Sequence, residues 1–301
     1  TLRVHHLSWM SMAGEAKRDY PASIFYQSPW YKEYRLLEDH FARVNMALMS
    51  GKPVVKIGVI HPVESYWLHY GPQELNGRIC QEMEERFEGI TRWLLFEHLD
   101  FDFIAESLLP ELCGEAFGTA SGEEKTGAAK AGERPSLRVG EMRYEAVIVP
   151  ACESLRRTTL SALRDCAREG GPVILMGNPP SCLDGEPDEG AAEIARWSRC
   201  IAFERSSLCD ALEPFRTVRI RGEKGEEAPE WICQQRRTEE DTWVFVARGI
   251  EQGNPDVERA QELSVSIPGE YEAFLYDTLT GEIRRSGAVV REGTTSVRLR
   301  A

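Results

Sequence analysis

Short runs of consecutive apolar residues alternate along much of the chain with segments whose apolar residues recur every three or four positions. The runs lie at residues 54–60, 102–105, 144–150, 172–177 and 199–203. Strands that are apolar on both faces are typical of parallel sheets covered by helices on both sides. The recurring pattern is that of amphipathic helices and lies near residues 77–98, 160–168 and 207–212. The alternation predicts a doubly wound α/β domain over residues 52–215.

One further helix is predicted before this domain. Ser28 can cap its first turn, Pro29 suits its first helical position, and Gly51 suits the position after its end. Its apolar positions form one stripe: Trp30, Tyr34, Leu37, Phe41, Val44 and Leu48. Residues 1–51 contain no second predicted helix, so this stripe must pack against the next segment or against something missing from the sequence.

The pattern changes again after residue 215. Short segments, several of them alternating between apolar and polar residues, predict strands at residues 242–247, 262–267, 271–276 and 295–299, with a turn at residues 277–281. Strands at this spacing predict a small antiparallel β-sandwich over residues 216–301. By contrast, residues 114–136 are rich in Gly, Ala, Glu and Lys, which predicts a flexible insertion.

Charge and composition argue against nucleic acid, a membrane span and a metal site, and they indicate where the protein is located. The 301-residue chain has a formal net charge of −13, which repels nucleic acid. No apolar run approaches the roughly 20 residues that a membrane span needs, and no signal peptide is visible. The eight cysteines lack metal-site spacing, so we expect reduced thiols in the cytoplasm and no metal. The first residue is not Met, so we expect a chain that begins within a larger structure.

Polar residues follow the ends of the predicted parallel strands, where open α/β sheets bind their ligands. They are His61, Glu64, Ser65 and Trp67 after the first strand, Glu106 and Ser107 after the second, Cys152, Glu153 and Ser154 after the third, and Asn178 after the fourth. These residues are candidates for a binding site. The alternative is that they satisfy backbone groups in the loops, as in every protein of this class.

No nucleotide cofactor is expected at these strand ends. The first strand is followed by bulky residues, and neither of the glycine-rich phosphate-binding motifs occurs. Cys152 stands where a catalytic nucleophile could be, but it lacks the flanking glycines of a nucleophile elbow. The carboxylate of Glu153 beside it disfavours a thiolate, so the sequence favours an inert thiol.

A second group of candidate residues lies near the start of the chain. Its members are His5, His6, Trp9, Glu15, Arg18 and Asp19. Carboxylates, basic groups and aromatic rings together are typical of sugar sites. The alternative is that Arg18 and Asp19 form a structural ion pair and that the tryptophan anchors a core or an interface. His5 and His6 are adjacent, so on a strand they would point to opposite faces and could not share a metal.

Two parts of the chain resemble large bacterial glycoside hydrolases. An Arg-Asp-Tyr-Pro loop at residues 18–21, a tryptophan-containing helix and an Ala-Arg segment at residues 42–45 resemble family 106 α-L-rhamnosidases. The Asp-x-x-Thr-Gly-Glu motif at residues 277–282 is similar to the accessory β domain that closes many such enzymes.

The segment between these parts resembles the amidotransferase-like trimerisation domain of family 42 β-galactosidases. The shared features are His-Pro at residues 61–62, Tyr-x-Ala-Val-Ile-Val-Pro-Ala at residues 144–151 and Gly-Gly-Pro-Val-Ile at residues 170–174. The resemblance implies a flavodoxin- or class I glutamine-amidotransferase-like domain without amidotransferase chemistry. It also implies that residues 1–51 are the last strand, loop and helix of a (β/α)8 barrel, whose catalytic carboxylates lie outside this chain.

We therefore expect the C-terminal part of a glycoside hydrolase that completes the rim of a sugar site, contributes to domain or subunit assembly and is inactive alone. Carbohydrate is the expected partner, and a homo-oligomer is left open. Glu15, Asp19 and Glu64 are available for hydrolysis, but no spacing identifies a catalytic pair. Two alternatives remain: a non-catalytic carbohydrate-binding or oligomerisation module, and, less favoured, an amidase or hydrolase that uses Cys152.

Overall fold

The computed structural model describes residues 29–113, 135–250 and 260–300, together with the backbone of two short strands at residues 7–8 and 22–23. Its helices are α1 (Tyr34–Met49), α2 (Val63–His69), α3 (Gln73–Phe96), α4 (Leu109–Leu112), α5 (Arg157–Arg168), α6 (Ile194–Trp197) and α7 (Arg205–Leu212). Its strands are β1 (Leu7–Ser8), β2 (Ala22–Ser23), β3 (Lys52–Pro53), β4 (Ile57–Ile60), β5 (Phe101–Ile104), β6 (Leu137–Val139), β7 (Met142–Tyr144), β8 (Ala146–Val149), β9 (Ser154–Leu155), β10 (Val173–Met176), β11 (Cys182–Leu183), β12 (Glu186–Pro187), β13 (Arg199–Ile201), β14 (Arg219–Gly222), β15 (Trp231–Arg237), β16 (Thr242–Arg248), β17 (Glu262–Pro268), β18 (Ala273–Tyr276), β19 (Ile283–Ser286), β20 (Ala288–Arg291) and β21 (Thr294–Arg300).

Five parallel strands form the central sheet, in the order β13–β10–β8–β4–β5. Strands β4, β8 and β10 are buried at every position, as their uninterrupted apolar sequences predict. Helices α3 and α7 cover one face of the sheet, and α5 and α6 cover the other. The predicted α/β class is confirmed, and counted along the chain the strand order is 2-1-3-4-5.

The sequence pattern does not predict two small features beside this sheet. They are the antiparallel hairpin of β6 and β7 and the three-stranded sheet of β9, β11 and β12. Each strand has only two or three residues, too few for a period of two to be recognised. Residues 114–134, which make up most of the predicted insertion, lie outside the described residues.

Two antiparallel sheets face each other in the C-terminal part, as predicted. One has the order β14–β17–β21–β20 and the other β16–β15–β3. Their shared core contains the buried residues Val218, Ile220, Ala228, Trp231, Leu263 and Val265. Strand β3 pairs with Arg236 and Arg237 of β15, so the first residues of the predicted α/β segment lie in a sheet of the sandwich.

The predicted turn at residues 277–281 is confirmed between β18 and β19. The Asp277 carboxylate accepts the backbone N–H groups of Leu279 and Thr280 at 2.8 and 3.0 Å. Strands β14, β15, β19 and β20 are absent from the sequence-based prediction. They contain several arginines and lack a clear alternation, so their place in the sheets depends on their neighbours.

Two arginines tie α1 to the sandwich. Arg43 donates to the carbonyl oxygens of Thr278 and Leu279 at 3.1 and 2.8 Å. Arg236 donates to the carbonyl oxygens of Ser50 and Gly51, both at 2.7 Å, just past the end of the helix. Carbonyl groups at a helix end have no partner inside the helix, so Arg236 supplies one that the local sequence does not.

The structure differs from the prediction at the start of α1. The helix begins at Tyr34, because the N–H of Glu33 bonds to the carbonyl of Trp30 at 3.0 Å and closes a separate turn. Ser28, the predicted cap, lies outside the described residues. Of the residues of α1, only Val44 is buried, and several apolar side chains are exposed: Leu36, Leu37, Met46 and Met49.

The corner between α3 and β5 joins the parallel sheet to the sandwich. The His98 ring donates to the Trp231 carbonyl oxygen at 3.1 Å, and one oxygen of Asp100 accepts the Phe101 N–H at 3.1 Å. The other carboxylate oxygen of Asp100 is hidden from water and has no hydrogen-bond partner among the described residues. Burial, with a smaller contribution from the charge of Asp102, raises the pKa of Asp100 to about 6.

Replacing this carboxyl is expected to stabilise the protein at neutral pH. In an unfolded chain an aspartate titrates at about pH 4, whereas Asp100 titrates at about 6 in the fold, so the folded state binds the proton more tightly. Ionised Asp100 therefore lowers the free energy of unfolding by about 2–3 kcal/mol above pH 6, and this penalty disappears as the pH falls to about 4. Urea denaturation should show that Asp100→Asn gains stability at pH 8 and not at pH 4.

Asp241→Asn is the matched control, because it removes the same charge from an exposed turn. It should change the free energy of unfolding by less than about 0.5 kcal/mol at either pH. A gain for Asp100→Asn that is the same at pH 4 and pH 8 would show that the burial of its charge is not the cause.

Candidate functional site

Helix α2 lies at the carboxyl end of β4 and carries three of the ten residues predicted for the strand-end site. It follows Pro62, whose fixed φ suits the start of a helix, and Glu64 in its first turn interacts favourably with the helix dipole. Gly71 and Pro72 then turn the chain into α3, because Pro72 cannot continue a helix. This short helix places Glu64, Ser65 and Trp67 on different sides.

Ser65 holds the loop that follows β8 against α2. Its hydroxyl oxygen accepts the backbone N–H groups of Glu153 and Ser154, both at 3.0 Å, and lies 3.3 Å from the Ser154 carbonyl, to which it donates. The side chain is completely buried. A hydroxyl offers one donor and two acceptor positions, so Ser65 uses all three within the protein. It is a structural residue rather than one available to a ligand.

Arg156 brings the two candidate glutamates together. Its guanidinium donates to Glu64 at 2.6 Å, and its backbone N–H donates to Glu106 at 2.8 Å. The Glu106 side chain is only 3% exposed, and burial raises the pKa of its carboxyl. Neither carboxylate is open to a substrate, because one is neutralised by an arginine and the other is enclosed.

Two further side-chain contacts fix the remaining polar residues of α2. The ring of His69 is in close contact with the carboxylate of Glu153. On the opposite side, Tyr66 donates to Glu84 of α3 at 2.8 Å, and this hydrogen bond raises the pKa of Tyr66 to about 12. Helix α2 is therefore held both by the loop after β8 and by α3.

His61 is a member of an aromatic cluster rather than a polar ligand. Its ring packs edge-on against Phe87, with centroids 5.0 Å apart, and against Phe103 at 5.6 Å. Burial lowers the pKa of His61, so the ring is neutral at neutral pH.

Trp67, another of the predicted rim residues, faces solvent. Its side chain is 62% exposed, and Tyr70 at the end of α2 is 75% exposed. The Tyr70 ring lies 6.2 Å from that of Tyr66, measured between centroids. Exposed aromatic rings on a short, well-anchored helix offer flat apolar faces with polar tips, which suit binding of an amphipathic ligand.

Cys152 does not have the environment of a nucleophile. It is 9% exposed, and burial, with a further contribution from the charge of Glu106, raises its pKa far above the usual thiol value. A nucleophilic cysteine needs the thiolate form, which an adjacent cation or a helix N-terminus stabilises. The inert-thiol interpretation fits this geometry, and the geometry argues against the hydrolase alternative.

The strand-end candidates thus lie in different environments. Glu64 and Glu106 meet through Arg156, His61 lies among phenylalanines, and Trp67 faces outward. Ser107 and Asn178 are exposed. The candidates near the start of the chain lie outside the described residues: His5, His6, Trp9, Glu15, Arg18 and Asp19.

Sequence reasoning missed Arg156 and His69. Neither follows the end of a predicted strand directly, and only the folding of α2 against the loop brings them to Glu64 and Glu153. The one available signal was charge, since a basic residue near a cluster of carboxylates is expected to pair with one of them.

Other features bear on the class of site. All eight cysteines are free thiols. Within the described parts of the chain, no group of three or more histidine, cysteine or acidic side chains is arranged to hold a metal ion. Over the same residues, no helix combines the length and the apolar character that crossing a membrane requires.

No protein-family model matches the chain, and no curated protein matches it. Several solved structures, by contrast, do match the chain. A rhamnosidase from Novosphingobium sp. PP1Y superposes with a TM-score of 0.56 at 18% sequence identity, over 90% of this chain and 24% of the rhamnosidase. A catalytic mutant of a family 42 β-galactosidase from G. stearothermophilus superposes with a TM-score of 0.56 at 11% identity, over 98% of this chain and 48% of the galactosidase.

These neighbours are glycoside hydrolases, and the likeness covers only part of each of them. The chain spans about a quarter of the rhamnosidase and about half of the β-galactosidase. At such low sequence identity the likeness shows a shared fold, and function has to be argued from the site. The resemblance inferred from the sequence therefore agrees with the structural neighbours.

Ser65→Ala is expected to destabilise the protein by about 2–4 kcal/mol, because it leaves one buried and one partly buried backbone N–H group without an acceptor. The amides of Glu153 and Ser154 should lose protection in hydrogen exchange. Ser161→Ala on the exposed side of α5 is the control and should change stability by less than about 0.5 kcal/mol. Unchanged protection at both amides would contradict the role assigned to Ser65.

Thiol labelling separates a reactive Cys152 from an inert one. Cys200 is exposed and Cys152 is buried, so a disulfide reagent at pH 8 should label Cys200 early and Cys152 only when the protein unfolds. Cys200→Ser should therefore remove a fast phase from the labelling time course. Cys152→Ala should leave the fast phase unchanged. An early phase that disappears in Cys152→Ala would revive the nucleophile hypothesis.

Proposed function

We propose that this chain is the C-terminal region of a glycoside-hydrolase-related protein, where it contributes to the rim of a sugar site and to domain or subunit assembly. The observation that carries the proposal is the superposition of 90% or more of the chain on parts of two different glycoside hydrolases. The proposed domains are a barrel-end segment at residues 1–51, an α/β domain at residues 52–215 and a β-sandwich at residues 216–301, with a flexible insertion at residues 114–136.

The proposed type of the α/β domain is flavodoxin-like or class I glutamine-amidotransferase-like. The strand order 2-1-3-4-5 supports it, because this is the order of flavodoxin-like doubly wound sheets. The domain would lack amidotransferase chemistry. The buried, protonated thiol of Cys152 supports that absence.

The proposed contribution to a sugar site rests on the exposed rings of α2. Trp67 and Tyr70 present apolar faces of the kind that line small-molecule sites, and the contacts of Ser65 hold the helix in place. Carbohydrate is the proposed partner. The residues near the chain start, such as Trp9 and Asp19, remain candidates for the same site.

The chain alone is proposed to be inactive as a hydrolase. Glycosidic hydrolysis needs two carboxyl groups that face the scissile bond from positions about 5–10 Å apart. Among the described residues at the strand ends, Glu64 is paired with Arg156, Glu153 contacts His69, and Glu106 is enclosed. None of these three is placed as an open acid or nucleophile.

Assembly is supported by the uncovered apolar side chains of α1. Leu36, Leu37, Met46 and Met49 are exposed on a helix that is anchored through Arg43 within it and through the carbonyl group of Ser50 just past its C-terminal end. Exposed apolar patches of this kind mark interaction surfaces. The same exposed side chains also support the second candidate function, a non-catalytic carbohydrate-binding or oligomerisation module. A cytoplasmic location is part of the proposal and is supported by the eight free thiols.

Sugar affinity without turnover is the expected result for the isolated chain. Calorimetry with rhamnose and galactose should give saturable binding of at least one of the two sugars, and aryl glycosides of the same sugars should not be hydrolysed. Trp67→Ala should weaken binding by about tenfold, because it removes the stacking face. Trp30→Ala, which removes another exposed indole, should leave the affinity unchanged.

Each part of the proposal can fail separately. Hydrolysis of an aryl glycoside would overturn the claim of inactivity, and the absence of any sugar binding would overturn the sugar rim. Light scattering addresses the assembly role: a concentration-dependent mass that falls in Leu37→Lys would support a homo-oligomer through α1.

A further inference from the structure

A cleft of about 300 Å³ lies between the ends of α5 and α6. Its lining residues are Arg164, Ala167, Arg168, Glu193, Arg196 and Trp197. None of them belongs to α2 or to the loop after β8, so the cleft is separate from the proposed sugar rim. Its volume is at the lower end of the range for small-molecule sites and corresponds to a ligand of about one sugar ring.

The cleft is positively charged in a protein that is strongly negative overall. Three arginines and one glutamate line it, whereas the chain as a whole carries a net charge of −13. Guanidinium groups that line one space repel each other, and the single carboxylate of Glu193 offsets only part of this positive charge. A local excess of positive charge of this kind raises the local concentration of anionic ligands.

The carboxylates near these arginines leave them available to a ligand. Arg164 pairs with Glu193 at 3.0 Å, and Arg168 pairs with Asp165 at 3.4 Å within the same helix. Both pairs are partly exposed, and pairs of this kind contribute little free energy. Arg196 is exposed and has no ion-pair or hydrogen-bond partner among the described residues.

Trp197 adds an aromatic wall to the cleft. Its indole N–H is buried and has no acceptor in the part of the chain that the structure describes. An indole N–H can only donate, and a buried donor without an acceptor is unfavourable. A site that combines cations with an aromatic ring suits a ligand that has both a charged group and a less polar body.

A purely structural role explains part of this arrangement. Arg168 and Arg196 stand in the last turns of their helices, where cations interact favourably with the helix dipole. That effect acts on each helix separately. It does not account for Arg164, which lies a turn earlier in α5 and pairs with Glu193, or for the presence of three arginines in the lining of one cleft.

We infer that this cleft binds a small metabolite that carries an oxyanion, a phosphate ester or a carboxylate, on a body about the size of a monosaccharide. Guanidinium groups donate two parallel hydrogen bonds to such oxyanions, which makes arginine the side chain best suited to recognise them. The site does not depend on the proposed glycoside-hydrolase relation, because it uses neither α2 nor a catalytic carboxylate.

Calorimetry at low ionic strength tests the inference with four probes: inorganic phosphate, glucose 6-phosphate, glucuronate and neutral glucose. Saturable binding of one or more anionic probes is expected, with no binding of glucose at this cleft. Arg196→Gln should weaken that binding by about tenfold, which corresponds to the loss of one charge-assisted contact. Arg78→Gln is the matched control, because it removes the same charge from an 89% exposed side chain of α3.

The probes also distinguish the two sources of the oxyanion. Binding of phosphate and glucose 6-phosphate without glucuronate would identify a phosphate ester, and the reverse would identify a carboxylate. The inference is overturned if no anionic probe binds saturably, if Arg196→Gln binds as tightly as the unmodified protein, or if Arg78→Gln weakens binding equally. Melting temperatures of both variants check that each is folded.

Discussion

Burial of the three central strands on both faces is the constraint on which the rest of the structure depends. Every side chain of β4, β8 and β10 is enclosed, so helices must cover both sides of the sheet. Water is excluded from these strands, and their backbone groups must pair with neighbouring strands. Polar groups can then gather only where the strands end, which is where α2 and the loop after β8 meet.

The strand ends use most of their polar groups internally. Ser65 satisfies two backbone amides, Arg156 neutralises Glu64 and holds Glu106, and His69 contacts Glu153. A buried polar group without a partner is unfavourable, so this internal pairing is the expected state of such a junction. The rings of Trp67 and Tyr70, by contrast, are exposed and can meet a ligand. A structural junction and the proposed binding surface therefore share one short helix.

The sandwich is joined to the rest of the chain through specific contacts rather than through a linker. Strand β3 extends one of its sheets, and Arg236 completes the hydrogen bonds at the end of α1. Arg43 lies in the Ala-Arg segment that carries part of the resemblance to α-L-rhamnosidases, and it holds the turn at residues 277–281. Two motifs noted separately in the sequence are thus in contact, and α1 keeps a fixed position beside the sandwich while its apolar side chains stay exposed.

The sequence by itself determined the α/β class, the central strands and helices, and the antiparallel character of the last segment. These features follow from periodicity, which is a local property of the chain. It also determined the tight turn after Asp277, because an aspartate accepts the backbone N–H groups that follow it. Only the tertiary structure decided which polar residues pair, since Arg156 is 92 residues from Glu64 along the chain. Tertiary packing, rather than residue type, decided that Glu106 and Cys152 are buried, that His61 is partly buried and that Trp67 is exposed. Packing depends on neighbours that no local pattern identifies.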